Sequence, residues 1–233
     1  MDANMNTLRT KLPVVANRLL DNYLPNWKIQ LVRQLKLLGA IIALLWLIEL
    51  FDLIAWGINL DLYGIHPRTW VGLRNVFLAP FLHYGIFHLL ANTIPFALLG
   101  WFVLLSNVRQ FLSVTVIGAL VSGLGVWLLG GANTVHLGIS GVIFGYMGFL
   151  LMRGYRERSP AAIALAVLAF FFYGGMLWSV LPLWPGVSWL GHLFGLVGGG
   201  LAAIRMKGPN PTVNNSLLGS DSTNARWRGR LLP

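Results

Sequence analysis

The chain has 233 residues, of which 56% are hydrophobic and 10% charged, with a net charge of +10, a mean hydropathy of +0.69 and no cysteine. Soluble domains carry about 25% charged residues, so most of this surface is not built to face water. The lack of cysteine excludes disulfides, thiol catalysis and thiolate metal sites. The positive charge sits at the ends and in short links and does not alternate with exposed aromatics, which argues against a nucleic-acid groove.

Crossing about 30 Å of hydrocarbon takes about 20 apolar residues. Positions 1–36 are interrupted by basic and polar residues, so no cleavable signal peptide is expected there and the first span is expected to act as an uncleaved anchor. They read as a basic cytoplasmic arm, in which 14–37 forms either an interfacial amphipathic helix or a solvated stretch. The core, 37–206, divides into six candidate spans, at 37–56, 85–105, 111–129, 140–152, 161–181 and 189–206. The fourth is short and covers only about 20 Å. It is expected to start within the membrane zone, after the irregular stretch 130–139, because such backbone is tolerated there only when protein buries it or it lines a wet cavity. The tail, 207–233, is rich in Asn, Ser, Gly and Arg and is expected to be disordered and cytoplasmic.

Lys and Arg set the orientation. With six spans, only Arg68 and Arg74, both in the long first loop, fall on the outer side. The other fifteen of the 17 basic residues fall on the side of the two termini, the cytoplasm. No internal repeat of the kind found in many transporters is present.

Polar side chains inside spans are costly and mark functional candidates. Here they are Glu49, Asp52, His88, Asn92, His192 and Ser140, with His83 at the mouth of the second span. Spans two, four and six run in the same direction, so His88, Asn92, Ser140 and His192 fall at similar depth in the outer half of the bundle. Ser140 lies between glycines in Gly138-Ile139-Ser140-Gly141, at a helix start where free N–H groups stabilise an oxyanion. It suits a nucleophile; the alternative is a simple N-cap, which the flanking glycines and the position within the membrane zone weigh against. Gly141, Gly145 and Gly148 in span four face a doubled GxxxG in span six, Gly191, Gly195 and Gly199, which permits close helix contact. That contact would bring His192 to Ser140. His88 and Asn92, four apart on one face, can both donate to developing negative charge. Phe144, one turn past Ser140, can pack on the His192 ring. Glu49 and Asp52 read as structural or interfacial residues that could pair with Arg68 or Arg74; either could be offered as a third triad member, but nothing places them beside His192. His66 and His136 are expected to be solvated, and metal-ligand spacing such as H-E-x-x-H is absent.

Three segments together resemble the rhomboid family of intramembrane serine proteases: His83 to Asn92 (H-x4-H-x3-N), Gly138 to Gly141 (G-x-S-G) and His192 to Gly195 (H-x-x-G). The resemblance covers about 37–206. It implies an all-α, six-helix membrane bundle and a serine endopeptidase with a dyad of Ser140 and His192, without a third carboxylate. It also implies an oxyanion site built from the Ser140 N–H, His88 and Asn92, with Gly138 closing the preceding loop and Phe144 stacked on the histidine. The family's first loop often carries a Trp-Arg pair; here Leu73-Arg74 stands nearby, slightly offset. The expected substrates are transmembrane segments of other membrane proteins in a prokaryotic plasma membrane, with no cofactor, metal or nucleic acid. A transporter, or a non-proteolytic relative that binds membrane clients, are the rival readings.

Overall fold

The computed structural model describes residues 14–55 and 59–206, with the backbone alone for 14–27. Seven α-helices are present among the described residues: α1 (Val14–Ile54), α2 (Trp70–Asn75), α3 (Gly85–Leu104), α4 (Val108–Leu129), α5 (Ser140–Glu157), α6 (Pro160–Tyr173) and α7 (Trp189–Arg205). The only β pairing among them is an isolated bridge between Ile65 and His136. Among the described residues, four segments are long and apolar enough to cross a membrane: Lys28–Ile54 of α1, α3, α4, and Pro160–Val180, which is α6 with its 3-10 extension Gly174–Val180. The chain is an integral membrane protein.

Two expectations change. The backbone of 14–36 is helical and continuous with the first span, whereas 1–13 and the tail 207–233 lie outside the described residues. The fourth helix does not stop at Met152 but continues to Glu157, 18 residues or about 27 Å. Its added turn is held by an i,i+4 pair, Arg153 to Glu157 at 2.9 Å, and by Arg156, whose guanidinium donates to the Ala203 and Ile204 carbonyls at the end of α7. Arg153 also donates to Ser106.

Helix α5 sits at the centre, against α3, α4, α6 and most closely α7. Every residue from Gly141 to Leu150 is buried. A helix buried on all sides is shielded by its neighbours, and lipid tails give apolar side chains no reason to prefer protein. Close packing and internal hydrogen bonds must therefore hold the bundle together. Tyr146 shows both: its ring stacks on Phe111 at 5.5 Å, and its hydroxyl meets Thr115 Oγ1 on α4 at 2.7 Å. Helix α1 is tied to α3 by Gln34 Nε2, which donates to the Leu104 carbonyl at 3.0 Å, and by Trp46 Nε1, which donates to Thr93 at 3.2 Å.

The first loop is a folded layer. The fully buried Asn75 donates to the Gly64 carbonyl at 2.9 Å, Arg68 to that of Gly130 at 2.7 Å, and Trp127 Nε1 to that of Thr69 at 2.8 Å. Backbone bonds between Ile65 and His136, at 2.7 and 3.1 Å, fasten the layer to the stretch leading into Ser140. No pair forms between Glu49 or Asp52 and Arg68 or Arg74. Arg68 donates to a backbone carbonyl, that of Gly130, and Arg74 to the side-chain oxygen of its neighbour, Asn75 Oδ1, at 3.2 Å. Asp52 accepts the Leu60 N–H at 2.7 Å, and Glu49, buried, lies against the Gly85 N–H.

Candidate active site

Ser140 opens α5. The turn before it passes through Gly138, at φ +113°, a conformation that L side chains avoid. A Cβ there would also lie 3.0 Å from His88 Cε1. The Gly138 N–H is taken by the Ala79 carbonyl at 2.8 Å, and the Ile139 N–H approaches His83 Nε2 at 3.4 Å. Ile139, not Ser140, stands at the N-cap, and no side chain caps the helix. The capping alternative for Ser140 therefore falls away: its hydroxyl faces His192 Nε2, while the Val142 and Ile143 N–H groups are taken by the Ile139 carbonyl at 2.9 and 3.2 Å.

The glycine faces of α5 and α7 meet as their spacing suggests. A Cβ at Gly195 would lie 2.2 Å from the Gly141 carbonyl oxygen, and one at Gly199 only 1.8 Å from that of Gly145. Real Cβ atoms do not come so near, so only glycine fits. This approach carries His192, in the first turn of α7 and 9% exposed, to Ser140. His192 Nε2 and Ser140 Oγ are 3.0 Å apart, within hydrogen-bond range. The Phe144 ring stacks on the imidazole with centroids 4.3 Å apart and planes 12° apart. Ser122 on α4 closes the back of the contact by donating to the Gly191 carbonyl at 2.8 Å.

His88 and Asn92 lie on α3 along the same cavity. Asn92 Nδ2 donates to its own helix, at the His88 carbonyl, 3.1 Å away. His88 Nδ1 accepts the Tyr84 N–H at 3.3 Å, so a neutral ring carries its proton on Nε2, the nitrogen nearer Gly138. That tautomer makes His88 a donor. Ser140, His192, His88, Asn92, Met176 and Trp184 are among the residues around this cavity of about 1240 Å³. A second pocket of about 30 Å³, bordered by Ser122, Ser140 and Ser188, has room for a water molecule.

The two outer-loop histidines expected to be solvated are both partly exposed, and both hold hydrogen bonds within the loops. His136 is half-buried between Thr134 Oγ1 and Ser188 Oγ, both at 2.8 Å, and burial lowers its pKa; His66 Nε2 meets the Leu62 carbonyl at 3.0 Å. Each ring is used to brace a loop. Among the described residues no group of three His, Asp or Glu is placed to hold a metal ion.

One neighbour of the site went unread in the sequence. Ser179, in the 3-10 segment after α6, has its hydroxyl 2.9 Å and its carbonyl oxygen 3.1 Å from His192 Nδ1. It is the one polar side chain in the apolar run 174–183, and including hydroxyls among the costly polar groups of spans would have flagged it.

A family model described as a rhomboid domain matches residues 71–208. Uncharacterized proteins of Mycobacterium bovis and Mycobacterium tuberculosis are each 41% identical over 176 residues, covering 72% of this chain and 73% of theirs. An uncharacterized protein of Mycobacterium leprae is 38% identical over 175 residues, covering 72% and 69% respectively.

Proposed function

The chain belongs to the rhomboid family of intramembrane serine proteases, which also includes inactive members, and from that premise we propose that it is an active serine endopeptidase using Ser140 and His192. The observation that carries the proposal is the 3.0 Å contact between His192 Nε2 and Ser140 Oγ beside a large cavity. In this reading α5 and α7 are the fourth and sixth spans, shielded from lipid by the four apolar ones. Both termini lie in the cytoplasm of a prokaryotic cell, as the bias of Lys and Arg implies.

The reaction is hydrolysis of a peptide bond in or near a transmembrane segment of another membrane protein. A helical substrate hides its carbonyls in backbone bonds, so it must unwind locally before attack. Ser140 Oγ bonds to the scissile carbon while its proton passes to His192 Nε2. The carbonyl becomes an oxyanion, held by the Ser140 N–H at the helix start and by donors from His88 and Asn92. Collapse breaks the C–N bond, and His192 returns the proton to the leaving amine. Water then attacks the acyl-enzyme with His192 again as base, which frees the acid and restores Ser140. The small pocket behind Ser140 suits that water. Phe144 holds the ring flat, and Gly138 gives the turn that exposes the oxyanion position.

Purified protein should cleave a model transmembrane substrate and take up a fluorophosphonate at Ser140. Ser140→Ala should insert normally and lose both. Cleavage that survives in Ser140→Ala, or a wild type that neither cleaves nor labels, sinks the proposal; the second result would indicate a non-proteolytic relative.

A further inference from the structure

The surroundings of His192 Nδ1 determine which nitrogen of the ring is free to act. Ser179 Oγ lies 2.9 Å from Nδ1 and the Ser179 carbonyl oxygen 3.1 Å from it. The same hydroxyl is 2.7 Å from the Met176 carbonyl, which can only accept. A hydroxyl has one proton. Donated to Met176, it leaves Ser179 Oγ with only lone pairs to offer Nδ1. The Ser179 carbonyl also offers only lone pairs. Both neighbours of Nδ1 are therefore acceptors, and the ring satisfies them by holding its proton there. A neutral imidazole protonated at Nδ1 has its lone pair on Nε2, 3.0 Å from Ser140 Oγ.

We infer that Ser179 is a positioning residue that holds His192 in the Nδ1–H tautomer, with its hydroxyl and its own carbonyl together doing the work of the buried carboxylate in a Ser-His-Asp triad. Its effect on catalysis rests on the protease reading; its effect on the tautomer does not. The choice of groups has a physical reason. A carboxylate among membrane helices needs a partner or carries a heavy desolvation cost. Two neutral acceptors orient the same N–H and face the imidazolium during proton transfer without burying a charge. The 3-10 winding makes this possible: a turn of that pitch returns the Ser179 side chain to the carbonyl three residues earlier, which fixes the hydroxyl proton.

The test uses the full chain in detergent with Ser179→Ala and Ser179→Thr. Ser179→Ala keeps the backbone acceptor, so kcat should fall roughly three- to tenfold, far less than the ~10⁴-fold cost of a wrong tautomer. KM should not change. Ser179→Thr restores a hydroxyl and should recover kcat to within about twofold of wild type. Nitrogen-15 spectra of histidine-labelled protein, assigned with His192→Gln, should show a protonated Nδ1 and a bare Nε2 in the wild type. They should show a measurable Nε2–H fraction in Ser179→Ala. A wild-type His192 protonated on Nε2 overturns the inference even if no variant folds. So does a Ser179→Ala protein with unchanged kcat and tautomer, or a loss that Ser179→Thr leaves unrepaired, which marks a packing role. If the wild type cleaves nothing, the protease reading fails and the spectra alone decide the role of Ser179.

Discussion

The contact between α5 and α7 and the outer face of α6 are both apolar helix surfaces in one bundle, yet they are built in opposite ways. Along the first, backbone lies so near backbone that a single added carbon has no room. Along the second, Phe171 is 79% exposed and Val167 60%. Lipid is as apolar as these side chains, so α6 needs no specific partner for that face. The α5–α7 contact must instead be specific, since it fixes the distance between Ser140 and His192. Precision is concentrated where Ser140 and His192 meet, and the outward face of α6 is left loosely covered.

The largest effect should come from breaking the close contact. Gly199→Ala places a Cβ where Gly145 O now lies 1.8 Å away. Neither partner is a flexible side chain, so the helices must separate. Thermal melting in detergent should show a loss of about 3 kcal/mol, with cleavage lost because the 3.0 Å contact opens. A stable, active Gly199→Ala protein would mean that the site does not depend on this approach.

A smaller effect should appear at the start of α5, where His83 lies between the Ile139 N–H and the His88 ring. Burial, with His88 adjacent, pushes the pKa of His83 down to about 3. Its folded pKa thus lies below the ordinary 6.5, and the unfolded chain binds the extra proton first. Stability is then full above about pH 6.5 and drains away as pH falls toward 3. Between pH 7 and 4 the melting free energy should drop by on the order of 2 kcal/mol more in wild type than in His83→Gln. Parallel pH curves for the two proteins would show that His83 is not held neutral by the fold.

The smallest effect belongs to the lipid-facing side. Phe171→Ala removes a ring that is largely exposed and should change stability by less than about 0.5 kcal/mol and leave cleavage unchanged. A large loss would reveal a partner for that face and erase the contrast with α7.

Much of this was legible in the order of residues. Hydropathy located α3 and α4 to within a few residues, because an apolar run long enough to span lipid has few other uses. Glycine spacing anticipated the close contact, since a face without side chains is informative only if something lies against it. The end of α5 was misjudged because Arg153, Arg156 and Glu157 read as a polar link until their partners at the end of α7 and within α5 are known. Charge alone allowed Arg68 and Arg74 to pair with Glu49 or Asp52, but in the fold Arg68 donates to the Gly130 carbonyl and Arg74 to Asn75.

By itself, then, the sequence determined which segments are apolar, that the positive charge gathers at the ends and in short links, and that Ser140 and His192 sit beside glycines, because these depend on composition and local spacing. Only the tertiary structure decided that His192 Nε2 lies 3.0 Å from Ser140, that Phe144 lies flat on its ring and that Ser179 faces its other nitrogen. Those distances join residues on three different segments. The glycine spacing announces a close approach, but the distances themselves depend on the register of the packed helices and on the winding of the segment after α6, which no local pattern encodes.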